Sequence, residues 1–254
     1  MKIATHLLIF GQEKWAMKNI ENSYPHVDQI YIAYSKKPWS YNPKAKGKYI
    51  NSFDLNIIKN SKFYDKITLI EGEWSNEEDQ RNSCVESALH DGIDYLMIHD
   101  ADEFYFHNDF EKIKEFLDLN PNYDIYKCPC INFWKNLNYI TLSEHGNEII
   151  GYPPIFINLN KGVRFQNKRN TTSGQSIAIN NGVLCHHASY ALTNEELRAK
   201  LQTWGHHNDF NIKNWYDNIW LKWNENSINL HPVSPSAWSK AIKYTKPLPE
   251  VLTE

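Results

Sequence analysis

In the stretch "DYLMIHDADEFYF", residues 94–106, four apolar or aromatic residues run directly into His99, Asp100, Ala101, Asp102 and Glu103. Carboxylates this close repel one another unless a cation joins them. Asp100 and Asp102 are two positions apart, so in extended chain their side chains face the same way. Hard oxygen donors of this kind suit Mn2+ or Mg2+, leaving other coordination positions to water and substrate phosphates. The plainer reading is a solvated acidic turn that caps the next helix. On the chemical reading Asp100 and Asp102 are metal ligands, and Asp102 and Glu103 are the catalytic candidates.

The elements that must position these groups follow from hydrophobic pattern and punctuation. Residues 3–10, 29–34, 66–70 and 95–99 read as strands, and 13–22, 55–60 and 75–90 as helices. Ser75 with Glu78 forms a capping box for the third helix, and Gly92 ends it. This alternation argues for a parallel sheet with helices on its faces. In such sheets ligands bind beyond the carboxyl ends of the strands, where the three carboxylates fall. An amphipathic helix is expected over 108–119. Beyond it the rhythm changes to strands at 125–134, 154–159, 163–165 and 176–185. A helix capped by Thr193 and Glu196 follows, then another over 212–223. The tail, with Pro232, Pro235, Pro247 and Pro249, is expected to lie extended over the body.

"IHDADEF" resembles the Asp-X-Asp signature of GT-A glycosyltransferases, which holds the metal bridging a nucleotide-sugar diphosphate. The preceding "EEDQRNSCVESALHDGIDYLMI" is similar to that family's helix carrying Arg-Asn before the signature strand. "CHHASYALTNEELRAKL" resembles the segment in which a His before Ser-Tyr supplies the last metal ligand. The resemblance covers about residues 1–210. It implies an α/β, GT-A type fold: a Rossmann-like, mostly parallel central sheet with helices on both faces and a mixed acceptor-side half. Residues 1–254 would form one domain, with 1–106 as the nucleotide-sugar-binding half, 107–230 as the acceptor side and 231–254 as the tail. The implied activity is metal-dependent transfer of a sugar from a nucleotide-diphosphate sugar, expected to be a UDP-sugar, to an acceptor hydroxyl on a glycan or on modified DNA. A metal-dependent phosphohydrolase or nucleotidyltransferase, and a non-catalytic carbohydrate-binding protein, are the alternatives.

By resemblance the donor site takes the backbone of Phe10, Gly11 and Gln12, then Tyr34 and Ser35 for uracil and ribose, and Arg81, Asn82, Asp100 and Ala101. From spacing, Arg81 shares a helix face with Val85 and Ala88; it either reaches a phosphate or pairs with Glu77. Tyr34 is otherwise a strand-end aromatic in the core. His186 and His187 are the remaining metal candidates. Neighbours on a strand point to opposite faces, so one of them serves, and the resemblance favours His187.

Residues 35–49, "SKKPWSYNPKAKGKY", form a loop of lysines interleaved with Trp39, Tyr41 and Tyr49. It is a solvated surface loop, a lid over the diphosphate, or a contact for a polyanionic acceptor. Lys161, Arg164, Lys168 and Arg169 could extend such a path. The net charge of −3 favours neither nucleic acid nor membranes globally. No apolar run is long enough to span a bilayer, and the start reads as a strand rather than a signal peptide. Cys84, Cys128, Cys130 and Cys185 match no zinc spacing and are too few for a disulfide scaffold, so reduced thiols in a cytoplasmic protein are expected. The pattern fixes no oligomeric state.

Overall fold

The computed structural model describes residues 1–11, 14–39, 49–172, 174–203 and 210–253. Gln12 and most of the basic loop, including Lys44, Lys46 and Lys48, therefore lie outside the described residues. The chain builds β1 (Ile3–Ile9), α1 (Ala16–Ser23), β2 (Gln29–Tyr34), α2 (Leu55–Lys59), β3 (Ile67–Glu71), α3 (Glu77–His90) and β4 (Tyr95–Ile98). It continues through β5 (Glu103–Phe104), α4 (His107–Leu119), β6 (Ile125–Lys127), β7 (Cys130–Trp134), β8 (Asn136–Leu142) and β9 (Pro154–Asn158). The last elements are β10 (Phe165–Asn167), β11 (Asn170–Thr171), β12 (Ser176–Ala178), β13 (Cys185–Tyr190), α5 (Asn194–Thr203), α6 (Ile212–Trp215) and β14 (Lys240–Lys243).

The protein is a mixed α/β fold with a mostly parallel central sheet and helices around it. Seven strands run in the order β12-β6-β9-β4-β1-β2-β3. The pairs β4/β1, β1/β2 and β2/β3 are parallel, and β9 is antiparallel to both neighbours. Strands of a parallel sheet are covered on both faces and read as near-continuous apolar runs, as "YLMI" of β4 and "IYIAY" of β2 do. On one face Cys84, Val85 and Ala88 of α3 pack with Ala4, Tyr31, Leu96 and Ile98. On the other, Ile20 of α1 and Phe110, Ile113 and Leu117 of α4 join Leu7, Ile32 and Met97.

A second sheet has the order β14-β8-β7-β13-β5. It packs on an aromatic cluster in which Trp134 meets Tyr190, Trp215, Trp220 and Trp238. The short turn at 99–102 joins β4 of the first sheet to β5 of the second, so the acidic residues sit at the seam. The sheets are not divided at residue 106: β5 belongs to the second, and β6, β9 and β12 return to the first.

Several local expectations are corrected. The helix α3 is capped by Asn76, whose side chain accepts from the Asp79 amide, and not by Ser75. The expected strand over 125–134 is two strands in two sheets. Pro129 between them has no amide to donate to a ladder. The expected strand over 176–185 likewise ends at Ala178, and Gly182 (φ 87°) turns the chain toward β13. The helix expected over 212–223 is one α turn followed by a π-helical turn, Tyr216–Trp220. The tail is not merely extended, because β14 pairs antiparallel with β8.

Candidate active site

The acidic turn is held by groups on both sheets. Asn19 of α1 donates its side-chain amide to the carbonyls of Asp100 (2.9 Å) and Glu103 (3.1 Å), and His99 Nε2 donates to Glu103 O at 2.8 Å. β5 pairs with β13 in a register that sets His187 opposite Glu103 and His186 opposite Phe104. One step further, the Ala188 amide donates to Asp102 O at 2.7 Å. Strand register therefore delivers His187 to the acidic turn, across 85 residues of chain.

The carboxylates part company. Asp102 lines a cavity of about 420 Å³. Its Oδ1 lies 3.2 Å from His187 Nε2 and its Oδ2 3.1 Å from Lys200 Nζ. Burial opposes its ionisation, but Lys200 and His187 outweigh burial and hold the carboxyl far below the usual range. Burial likewise opposes charge on His187, yet Asp102, with a further hydrogen bond to Cys130, carries it up to about 10. Asp100 instead meets Arg81 Nη2 at 2.8 Å through Oδ1 and Arg169 Nη1 at 3.0 Å through Oδ2. Glu103 is sealed beneath it, its side chain 2% exposed and paired with Arg169. Burial, seconded by Asp100, pushes the Glu103 carboxyl up to about 7 although Arg169 pulls the other way.

Glu77, Asp100, Asp102 and Glu103 thus face Arg81, Arg169, His187 and Lys200. A buried charge is tolerated when paired and hydrogen-bonded, and this cluster is closed on itself. Arg169 also donates to Pro154 O at 2.8 Å. Arg81 spends its fork on Glu77 and Asp100, with Nη1 donating to His6 Nε2 at 3.3 Å. His6 Nδ1 therefore carries the ring proton and donates to Met97 O at 3.0 Å; burial lowers its pKa to about 3.

The cavity opens at the carboxyl ends of β1 and β2, as expected for this sheet, and α5 forms its opposite wall. Phe10 and Gly11 follow β1, and Ser35, Lys37 and Trp39 follow β2. Asn51 ties these ends together: its amide donates to Ile9 O and Ser35 O, both at 2.9 Å, and its Oδ1 accepts from the Gly11 amide at 3.0 Å. Trp39 donates its indole N–H to Gln80 Oε1 at 2.7 Å, and Gln80 donates to Ala33 O, so the ring is seated on the sheet. Tyr49 stands on the same wall, and Lys14 and Lys200 reach the cavity from the other side.

Of the expected donor-site and metal residues, Phe10, Gly11, Ser35 and Asp102 line this cavity, joined by Lys37, Trp39 and Tyr49 of the basic loop. Arg81 and Asn82 do not. Arg81 is locked in the buried ion pairs, and Asn82 brackets β10, donating to Phe165 O and accepting from its amide. Tyr34 and Ala101 are buried in the core. Glu103, expected to be catalytic, is enclosed and committed to Arg169. His186 lies on the face opposite His187, with Nε2 3.1 Å from the Tyr244 hydroxyl and its ring against Phe106 and Phe133. Arg169, grouped with a surface basic path, is instead the bridge inside the acidic cluster. Lys200 and Asn51 drew no notice in the sequence. Lys200 sits three residues after buried Leu197 and one before buried Leu201, and that helical spacing was the available signal.

A divalent cation has a narrower fit than the expected set of Asp100, Asp102 and one of His186 and His187. Among the described residues no group of three His, Cys, Asp or Glu is arranged to hold a metal. Asp100 has both oxygens on guanidinium groups, and His186 faces away. Asp102 Oδ1 and His187 Nε2 remain as a pair: they are 3.2 Å apart as an ion pair, close to the spacing of about 3 Å between neighbouring ligands on an octahedral cation, and the imidazole would have to give up its proton to the ion. The four cysteines are free and buried. No helix among the described residues is long and apolar enough to cross a membrane.

No protein-family model and no curated protein matches the chain. Among solved structures it is similar to S. aureus TarS 1-349, with 11% identity and TM-score 0.48, covering 74% of this chain and 61% of that one. The complex of S. aureus TarS 1-349 with UDP gives 9% identity and TM-score 0.47, covering 84% of this chain and 77% of that one. A197 from STIV gives 14% identity and TM-score 0.37 over 74% of this chain and 85% of that one. The chain thus spans less than two thirds of the length of the first of these.

Proposed function

We propose that the protein is a glycosyltransferase that takes a nucleotide-diphosphate sugar, with UDP as the nucleotide, and delivers the sugar to an acceptor hydroxyl. One observation carries the reading: a single carboxylate, Asp102, stands between an imidazole and an ammonium at the base of a cavity walled by aromatic rings and lysines. That cavity has the parts a nucleoside diphosphate needs. Trp39 and Tyr49 offer flat faces to a base, and Asn51 fixes the strand ends beneath it. Lys14, Lys37 and Lys200 bring positive charge to the cavity, each paired with a carboxylate (Glu196, Glu73 and Asp102) that a diphosphate would have to displace.

Asp102 and His187 would hold the ion, the carboxylate suiting Mn2+ or Mg2+ and the nitrogen ligand favouring Mn2+ over the harder Mg2+. When bound, the ion would neutralise charge building on the leaving diphosphate. The chain's own residues do the rest. Asp102 and His187 keep their geometry because the Ala188 amide and the β5/β13 register fix both backbones. Arg169 and Arg81 hold Asp100 and Glu103 away from the cavity, so of the acidic turn Asp102 alone faces it. Glu103 does not take the acceptor proton, since it has no path to a substrate.

The test is calorimetric titration with UDP in the presence of Mn2+. Wild type should bind, and Trp39→Ala should lose about 1–3 kcal/mol, the worth of one base–aromatic stack. Absence of UDP binding, or an unchanged affinity in Trp39→Ala, would remove the donor assignment.

A further inference from the structure

Lys200 is fully engaged although it lines the cavity. Its ammonium donates to Asp102 Oδ2 (3.1 Å), to Ser189 O (3.0 Å) and to Ser189 Oγ (2.8 Å). Those are all three of its N–H donors. Tyr190 lies 5.8 Å from it, ring centroid to Nζ. The side chain is 25% exposed, so it is anchored rather than entombed. The carboxylate it neutralises is the same one that fits a divalent ion through Oδ1.

Two cations cannot both have that carboxylate at full strength. A divalent ion on Asp102 Oδ1 would stand a few ångströms from the ammonium on Oδ2, and like charges that close repel strongly in a partly buried site. We propose that Lys200 is a tethered counter-cation that guards Asp102 and yields to a divalent metal only when a diphosphate arrives. This rests on the donor and metal reading above. The diphosphate's oxygens take the displaced ammonium, so the metal holds Asp102 and Lys200 holds the diphosphate. Lysine is suited to the exchange, because its compact charge rides on a flexible four-carbon stem. Its helix, α5, walls the cavity through Glu196, Ala199 and Thr203, so a rotated head remains inside. Metal and diphosphate should therefore bind with positive coupling, each raising the affinity of the other by the same factor.

The experiment measures Mn2+ affinity from free-ion electron paramagnetic resonance, with and without UDP, on the full chain. Lys200→Met keeps the stem and removes the charge. Without UDP it should bind Mn2+ about tenfold more tightly than wild type and lose most of the gain that UDP confers. Lys200→Arg keeps the charge and should behave like wild type, which separates a charge effect from damage to α5. Equal Mn2+ affinity in wild type and Lys200→Met, both folded by circular dichroism, overturns the guard. Asp102→Asn tells that result from a failure of the metal reading: if it binds Mn2+ as well as wild type in the presence of UDP, the metal is not on Asp102 at all.

Discussion

Glu103 and Asp100 share one guanidinium, that of Arg169, which also donates to a carbonyl of β9. Removing it leaves Glu103 buried without a counter-cation, while Asp100 keeps Arg81. Breaking a buried pair from one side costs about 3–5 kcal/mol while the stranded group stays charged, so Arg169→Met should lower stability by that much in urea unfolding at alkaline pH and by less below the Glu103 carboxyl's value of about 7, where it takes a proton. Adding Glu103→Gln to the same chain should restore a good part, since the stranded charge is gone. A loss below about 1 kcal/mol, or no recovery in the double variant, would mean the cluster does not need its bridge. At this scale the sequence was legible where chemistry and spacing coincide. Asp102 follows a buried strand, and His187 carries the Ser-Tyr neighbour of the resemblance. Arg169 was not legible, because it lies in the polar run "FQNKRNTT" whose only local message is a hairpin with positive charge. Its partners are 66 and 69 residues away, and nothing in the run names them.

The wall of the cavity depends on α5, in which Leu197 and Leu201 are the buried residues among those described. Its start is held by a cap. Thr193 Oγ1 accepts from the Glu196 amide at 3.2 Å, and Glu196 Oε2 accepts from the Thr193 amide at 2.7 Å. Glu196 also receives Lys14 at 3.1 Å, tying the helix to the residues before α1. Thr193→Ala should cost about 1 kcal/mol, seen as a lower urea midpoint at unchanged slope. An unaltered midpoint would show that packing alone holds the helix. The reciprocal motif Thr-x-x-Glu made this start readable from sequence. At α3 a similar motif misled by one residue, because Asn76, a better cap than Ser75 in that backbone, stood beside it. Strand breaks at Pro129 and Gly182 were marked by residues that punctuate chains, yet the choice of sheet on either side is a tertiary decision. The π-helical turn at Tyr216–Trp220 left no local sign, since Trp215, Tyr216 and Trp220 satisfy an apolar stripe in either helix.

For the molecule as a whole, the alternation of the first hundred residues was enough to place a parallel sheet and its ligand end. Two features were beyond it: β9 inserting antiparallel between β4 and β6, which with β12 extend that sheet, and the second sheet taking β5 from one half of the chain and β14 from the tail. Both depend on pairings across long separations, which period-two patterning cannot assign. Their result is a seam at which the acidic turn faces one cavity, and the central claim is that this cavity transfers a sugar from a nucleotide diphosphate. The most direct measurement is release of nucleoside diphosphate from a panel of nucleotide sugars, with Mn2+ and with chelator, for wild type and Asp102→Asn. Release is expected from one nucleotide class, UDP-sugars; it should require the metal and fall by about a hundredfold or more in Asp102→Asn, the loss that follows when a group stabilising charge in the transition state is removed. Release of phosphate or pyrophosphate instead, or undiminished turnover in Asp102→Asn, would contradict that claim.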